Sequence, residues 1–316
     1  MHTNAFRRPD YQQGIALITV LLVLAVVTVA LVAMSSDRQM DIRRTQNQVR
    51  AIQAWSYVHG LETWAEQQLR TDLAENGFDA DSDNWSQPLP VTSIAQGNIE
   101  AGIIEFQGRI HLNNLLVEGQ ASDPDVQRLK RLFVYLDIKP ERVDAMLDWI
   151  DSDMEIRYPN GAEDETYGRI SPPYRSANSP FSDVSELLQV QGFSQEDYEK
   201  LLPYVYVANA YEPLNVNTAS PEVLRCLADG IKKNRAESIH MAHGKPFENV
   251  EDFLKDEAMV GISVDKKSLA VTSKHFLLSG KINMGSNAWM FQSQLRRDGD
   301  GVVTVIKRKR GNTLDG

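Results

Sequence analysis

GIALITVLLVLAVVTVALVAM, from Gly14 to Met34, is the stretch on which the fold turns. No charged residue lies between Tyr11 and Ser36, and from Ile15 onward only Thr19 and Thr28 interrupt the apolar run. As a helix rising 1.5 Å per residue it spans roughly 30 Å, the thickness of bilayer hydrocarbon. A secretory signal peptide has an apolar core of ~7–15 residues closed by a small-residue cleavage site. This run is longer and no such site closes it. The reading is a membrane-spanning helix. Arg7 and Arg8 precede it while Arg38, Arg43, Arg44 and Arg50 follow it, so flanking charge does not decide its orientation.

Beyond the span, residues 37–75 contain no Pro, and Gly60 is the only Gly. Apolar residues recur at Val49, Ile52, Trp55 or Ala54, Val58, Leu61, Ala65, Leu69 and Leu73, in steps of three and four. That spacing predicts an amphipathic helix with one buried stripe. Asn76-Gly77 supplies its stop. One helix from about Ile15 to Glu75 follows, apolar first and amphipathic second.

Residues 79–98, rich in Asp, Ser, Asn and Pro, read as a loop. Ile99–Phe106 and Arg109–Leu112 read as strands around a hairpin at Gln107-Gly108. Three more strand-like runs close the chain: His275–Ile282, Ala288–Leu295 and Val302–Arg308, with Asp298-Gly299-Asp300-Gly301 as a hairpin turn. The sheet is therefore split by a helical middle.

That middle repeats itself. Pro180-Phe181-Ser182-Asp183-Val184 aligns with Pro246-Phe247-Glu248-Asn249-Val250. Ala121-Ser122-Asp123-Pro124 echoes Ala219-Ser220-Pro221, Leu112-Asn113-Asn114 echoes Leu214-Asn215-Val216-Asn217, and Gly192 echoes Gly261, all in the same order. The first module carries a long insertion, roughly 148–178.

The 316 residues carry a formal net charge of −10, which disfavours a general nucleic-acid binder. The second module resembles a helix-hairpin-helix unit at 215–224 and Asp229-Gly230-Ile231, but Lys232 stands where a DNA-binding hairpin has its second glycine. A helical scaffold is the favoured reading; a membrane-anchored DNA receptor is the alternative. The single cysteine, Cys226, lies among apolar residues and reads as a buried thiol. His240 and His243 lack a third ligand nearby, and Lys307–Arg310 reads as the guard of a sheet edge. Trp55, Trp64 and Trp85 read as core or interface aromatics. No nucleophile elbow, P-loop, dinucleotide fingerprint or zinc-protease motif is present, so catalysis is not expected.

The insertion concentrates acid. Asp148, Asp151, Asp153, Glu155, Glu163, Asp164 and Glu165 fall within 18 residues. Hard carboxylate oxygens suit Ca²⁺, and the lack of Cys or nearby His disfavours Zn²⁺. The spacing is not that of an EF-hand. By itself the stretch reads equally as a solvated acidic loop or a calcium site.

The joint order of these features resembles the pseudopilin K family of type II secretion systems, over nearly the whole chain. The short leader ending in Gln13-Gly14 before Ile15 is similar to those that prepilin peptidase cuts, which places processing at Gly14 and Ile15. The usual Glu at the fifth mature position is absent, with Thr19 there, a departure typical of the K type. The stretch Trp149-x-Asp151-x-Asp153, then Gly161-Ala162-Glu163-Asp164 and Tyr167, is similar to that family's calcium-binding insertion. The resemblance implies calcium ligands at Asp151, Asp153, Glu163 and Asp164, with Asp148 as a weaker candidate.

It also implies an α+β fold: a pilin-like long N-terminal transmembrane helix on a small antiparallel sheet, with a large duplicated helical domain inserted in the sheet. The expected segments are a leader 1–14, a membrane part 15–36 and a periplasmic helix 37–75. The sheet would occupy 76–111 and 275–316, around module 1 at 112–207 and module 2 at 208–274. The implied role is a minor pseudopilin at the pseudopilus tip, methylated at Ile15. It would sit in the inner membrane, N-terminus cytoplasmic and C-terminal domain periplasmic. The implied partners are minor pseudopilins I and J, prepilin peptidase, other secretion components and membrane lipid.

Overall fold

The computed structural model describes residues 11–95, 97–241, 245–285 and 287–311. Arg7, Arg8 and His243 therefore lie outside the described residues. One α-helix, α1, runs Tyr11–Asn76. The chain forms two compact units, one ending at Tyr57 and one beginning at Val58.

In the first unit every residue from Ile15 to Met34 is exposed, and the apolar window is long enough to cross a membrane. The two hydroxyls in it are satisfied locally. Thr19 donates to the Ala16 carbonyl at 2.9 Å and Thr28 to Leu24 at 2.7 Å, as an apolar surrounding requires. Val49 and Ile52, expected on the buried stripe, are exposed.

In the second unit α1 buries Val58, Leu61, Ala65 and Leu69 against a sheet. Each buried Val or Leu among them contributes roughly 1.5–3 kcal/mol. Gly77 ends the helix with φ +74°, donating its N–H to the Leu73 carbonyl at 3.0 Å. Only a residue without Cβ takes that left-handed step without strain.

One outer strand of the sheet differs from expectation, while the other, at the end of the chain, falls where the Val302–Arg308 run placed it. β1 (Leu89–Ile94) pairs with β2 (Gly97–Glu105) inside the region expected to be a loop. Pro88 and Pro90 masked it, yet proline is tolerated where a strand has only one neighbour. The expected hairpin at Gln107-Gly108 does not form. Instead β3 (Ile110–His111) leaves the sheet and opens the helical insert. In β2, Ile99, Ala101 and Ile103 are buried while Glu100 is exposed, the period-2 pattern of a half-buried strand.

Module 1 continues through a short antiparallel pair, β4 (Leu116–Val117) with β5 (Gln120–Ala121). Helices α2 (Asp123–Tyr135), α3 (Arg142–Ile150), α4 (Asp164–Tyr167) and α5 (Gln195–Leu201) follow, and β6 (Val205–Tyr206) closes it, parallel to β3. Module 2 opens with β7 (Leu214–Asn215). It runs through α6 (Pro221–Arg225), α7 (Lys233–Met241) and α8 (Val250–Lys255), then closes with β8 (Leu269–Ala270), parallel to β7.

The duplication is visible atom by atom. The Asn113 amide donates to the Phe181 carbonyl at 2.9 Å and accepts the Phe181 N–H at 2.8 Å. Asn217 does the same to Phe247, at 3.0 and 2.9 Å. Asp183 and Asn249 each cap the turn that follows. Gly192 and Gly261 both take positive φ. The sequence alignment of the module starts is two residues out: Asn217 corresponds to Asn113, and Leu214 to Ile110 rather than Leu112.

Both modules share one core, in which Leu129, Phe133, Met146, Val223, Leu224 and Phe253 are buried. Cys226 is fully buried in it, and burial pushes its thiol up to about 12, which removes its nucleophilic form. The chain then returns to the sheet as β9 (His275–Met284), β10 (Asn287–Arg297) and β11 (Val303–Arg310). The antiparallel order is β1-β2-β9-β10-β11, so the insert sits between two neighbouring strands.

Candidate functional site

The acidic insertion begins where α3 ends. α3 buries Asp148 and Trp149 on its last turn, and Asp151 follows as its C-cap. The chain then loops out and folds back at Gly161. A Cβ there would lie 2.1 Å from Asp148 Oδ2, so only glycine lets the loop close on that carboxylate. Glu163 is the residue before α4, and Asp164 is its first residue. Beneath them Trp149, Tyr167 and Tyr174 stack edge-on or tilted, Trp149–Tyr167 at 5.2 Å and Tyr167–Tyr174 at 5.3 Å.

Asp148, Asp151 and Glu163 are at most 3% exposed. Asp153 is exposed and accepts the Glu155 N–H at 2.8 Å. Asp164 accepts the Ser176 N–H at 3.0 Å and faces Arg175 at 3.8 Å. Composition alone did not disclose Arg157. Its Nη2 lies 2.8 Å from Asp151 Oδ2, its Nε 3.3 Å from Asp148 Oδ1, and its backbone N–H donates to Asp148 Oδ2 at 3.1 Å. One guanidinium thus stands between two buried carboxylates.

The charge is not balanced. Both Glu163 carboxylate oxygens, and Oδ1 of Asp148 and of Asp151, are buried without a hydrogen-bond donor. Burial, and then the charges of Asp148, Asp151, Asp153 and Asp164, push the Glu163 carboxyl up to about 7. Burial likewise raises Asp148 to about 6, with Asp151 adding to it. Burial also raises Asp151, against the pull of Arg157. Among the described residues, no three His, Cys, Asp or Glu side chains come close enough together to hold a metal ion. The orphaned oxygens of Asp148, Asp151 and Glu163 are hard carboxylate oxygens of the kind a divalent cation takes, but the described side chains do not gather three of them around one point.

The processing residues divide differently. Ile15 is 66% exposed on α1. At Gly14 only the helical backbone is described, and the leader before Tyr11 is outside the described residues.

In the hairpin of module 2, Asp229, Gly230 and Lys232 are exposed and Ile231 alone turns inward. A Cβ on Gly230 would sit 3.2 Å from Ile262 Cγ1, and Ile231 is buried. Asp229 pairs with Arg131 of α2 at 2.5 Å.

The basic run on β11 is not a bare edge. Alternation sends Arg308 to α1, where it grips Glu62 with two bonds of 2.7 and 3.0 Å, and sends Lys307 and Lys309 to Asp183 at 3.4 and 2.9 Å. Further along the sheet, Arg297 is 1% exposed. It bonds Asp79, the Leu69 carbonyl and the Ser273 carbonyl, and lies over the Phe276 ring.

A long apolar helix, an antiparallel sheet behind its amphipathic half and a large insert between two strands define a pilin-like subunit with a membrane anchor. Comparison with known proteins places it further. Residues 108–210 and 214–272 match two family models described as type II secretion system (T2SS), protein K. Type II secretion system protein K of Pseudomonas aeruginosa is 36% identical over 95% of this chain and 93% of its own length. That of Klebsiella pneumoniae is 31% identical over 95% and 97%. The crystal structure of the GspK-GspI-GspJ complex from the enterotoxigenic Escherichia coli type 2 secretion system has a chain that aligns with a TM-score of 0.74 and 26% identity. The alignment covers 85% of this chain and all of that one. The chain belongs to the type II secretion system protein K family, the minor pseudopilins.

Proposed function

We propose that this chain is the tip subunit of a type II secretion pseudopilus, where it starts assembly and helps move folded proteins across the outer membrane. The observation that carries the reading is the insert between β2 and β9. It adds two helical modules with a shared core to a pilin-like sheet, bulk that would hinder another subunit from stacking on it. In this reading prepilin peptidase cuts between Gly14 and Ile15, Ile15 is methylated, and the Ile15–Met34 span sits in the inner membrane with the second unit in the periplasm. Minor pseudopilins I and J are the partners, by analogy with the solved complex of the related chain. No step requires catalysis by this chain.

Calcium is the cation proposed for the insertion. Asp151 and Glu163, with Asp148, would be its buried ligands, and Asp153 and Asp164 would reach it from the rim. Bound there, it would supply positive charge to the Glu163 oxygens and Asp151 Oδ1, which have no hydrogen-bond donor. The chain's own residues position the site: α3 fixes Asp148 and Asp151, Gly161 closes the loop, and the three aromatic rings hold α4 against α3.

The test is the location of exported enzymes in a strain lacking this gene, with a complemented control. Accumulation of folded enzymes in the periplasm is the expected result. Normal export would refute the secretion role.

A further inference from the structure

The joint between α1, the sheet and the insert is built on buried acid. Arg297 of β10, 1% exposed, donates to the Leu69 carbonyl of α1 at 2.8 Å, to the Ser273 carbonyl at 2.8 Å and to Asp79 Oδ2. The Ser273 N–H donates to the same Oδ2 at 2.7 Å. Asp79 reaches module 2 through its backbone. Its N–H donates to the Val271 carbonyl at 2.8 Å, and its own carbonyl accepts from the Asn215 amide at 3.1 Å. Helix, sheet and insert are thus tied together through one carboxylate and one guanidinium.

Two further carboxylates crowd that pair. Asp72 stands one turn beyond Leu69 on the same face of α1. Asp83 accepts the Ala80 N–H at 2.7 Å. Asp72, Asp79 and Asp83 are 7%, 0% and 8% exposed. Asp72 Oδ1 accepts from Asn76 at 2.9 Å, but Asp72 Oδ2 and Asp79 Oδ1 are buried without a donor. Fully ionised, the cluster would set three negative charges against one positive, and buried charge of that kind is relieved by a proton. Burial, and then the charges of Asp83 and Asp79, push the Asp72 carboxyl up to about 7, against the pull of Arg297 and the Asn76 bond. Burial also raises Asp79 and Asp83. The neighbouring charges do not cancel the excess. Burial lifts Glu105 of β2 to about 7, with Asp79 adding to it. Burial raises Asp81 too, against His240 of α7. Arg70, Asp298 and Asp300 are exposed at the rim.

We propose that this joint is a proton-binding site: the cluster of Asp72, Asp79 and Asp83 takes up one proton, carried on Asp72 Oδ2, and its release slackens the attachment of α1 to the sheet and the insert. A proton there removes one buried negative charge and turns an orphan acceptor into a donor. The sign follows from linkage. An acid whose folded value is raised adds stability that is full below its ordinary 3.8 and is lost as the pH rises through about 7. The joint is therefore tighter in mild acid than in mild alkali. Because it lies within this chain, the proposal stands apart from the secretion reading.

The test is hydrogen exchange on the full chain in lipid nanodiscs, read by mass spectrometry at about pH 6 and pH 8 and corrected for intrinsic exchange. The reporters are the N–H groups of Asp79, Ser273 and Arg297, which bond Val271, Asp79 and Lys274. Their opening should rise about tenfold from the lower pH to the higher in the parent chain. Asp72→Asn, a neutral isostere that keeps an acceptor for Asn76, should hold the rise below about twofold. Glu105→Gln and Glu163→Gln remove the other carboxyls raised to about 7 and should each leave the rise unchanged. Should Asp72→Asn melt lower than the parent chain, Asp83→Asn replaces it, and the rise should then begin at lower pH. Four outcomes overturn the proposal: no rise in the parent chain, a full rise kept in Asp72→Asn, an unshifted rise in Asp83→Asn, or loss of the rise in Glu105→Gln or Glu163→Gln, which would put the proton elsewhere.

Discussion

The two modules of the insert are fastened alike and filled differently. Asn113 brackets Phe181 across 68 residues, and Asn217 brackets Phe247 across 30. Their opening and closing strands pair in the same parallel fashion. Module 2 fills its short span with α6 and α7, packed on apolar side chains. Module 1 takes in the acidic loop, whose buried carboxylates outnumber the single Arg157 among them. A fastening made at the ends of a segment does not depend on its length, because loop closure grows only slowly in cost as residues are added. Duplication therefore supplied a frame in which one copy could carry a charged, functional insertion while the other kept the packing.

The contrast is open to measurement. Asn217 is fully buried, so Asn217→Ala strands the Phe247 N–H and carbonyl; it should cost about 2–3 kcal/mol in urea unfolding. Asn113 is half-buried, and Asn113→Ala should cost about half as much. Equal or negligible costs would mean that the brackets are not what closes each module. The next effect is confined to module 1. Limited proteolysis should cut within 148–178 faster in chelator than in calcium, and Asp151→Ala with Asp153→Ala should abolish that difference. Module 2 should be indifferent, and a double mutant that behaves as wild type would remove the calcium assignment.

Glu163→Gln removes one of the crowded charges. Without calcium it should stabilise the chain at pH 8 by on the order of 1 kcal/mol, and added calcium should then raise its melting temperature less than that of wild type. A melting curve identical to wild type in both conditions would show that Glu163 is neither crowded nor a ligand.

The smallest effect compares the two caps. Burial acts to raise the Asp183 carboxyl, but hydrogen bonds from Lys309 and Ser185 outweigh it and hold the group below its ordinary 3.8. The stability it adds is full above that value and is lost as the pH falls through the lower, folded-state value. Its counterpart Asn249 does not titrate. Hydrogen exchange below about pH 4 should therefore speed at Ser185 and Glu186 while Asp252 is unchanged, and Asp183→Asn should remove the difference, worth about 1 kcal/mol.

Much of this was written locally in the sequence. The span from Ile15, the stripe through Val58, Leu61, Ala65 and Leu69, and the three closing strands follow from periodicity, which needs no knowledge of the tertiary fold. The repeat was visible too, but its register was not. Asn113 and Asn217 are defined by the carbonyls they reach, 68 and 30 residues away, and neighbouring asparagines offered false matches. β1 was hidden because Pro90 and polar residues look like a loop until a single neighbour accepts them. Arg157 was missed for a related reason: a lone base in an acidic stretch looks solvated, and only the turn at Gly161 brings it onto Asp148. Val49 and Ile52 share the helical period of the buried stripe but are exposed, since period does not say what covers a face.

The position of the insert bears on how the chain comes together after synthesis. β2 and β9 are adjacent, with Glu105 opposite Phe276, yet every residue of both modules is made between them. β1 and β2 emerge early and must wait, with one edge bare and Ile99, Ile103 and Ile104 uncovered. Once the modules have folded, their own closure delivers His275 to Phe106, whose N–H donates to the His275 carbonyl at 3.0 Å. The folding of the helical domain thus sets when the sheet can close, and a slow-folding insert would prolong the interval in which that hairpin stays uncovered.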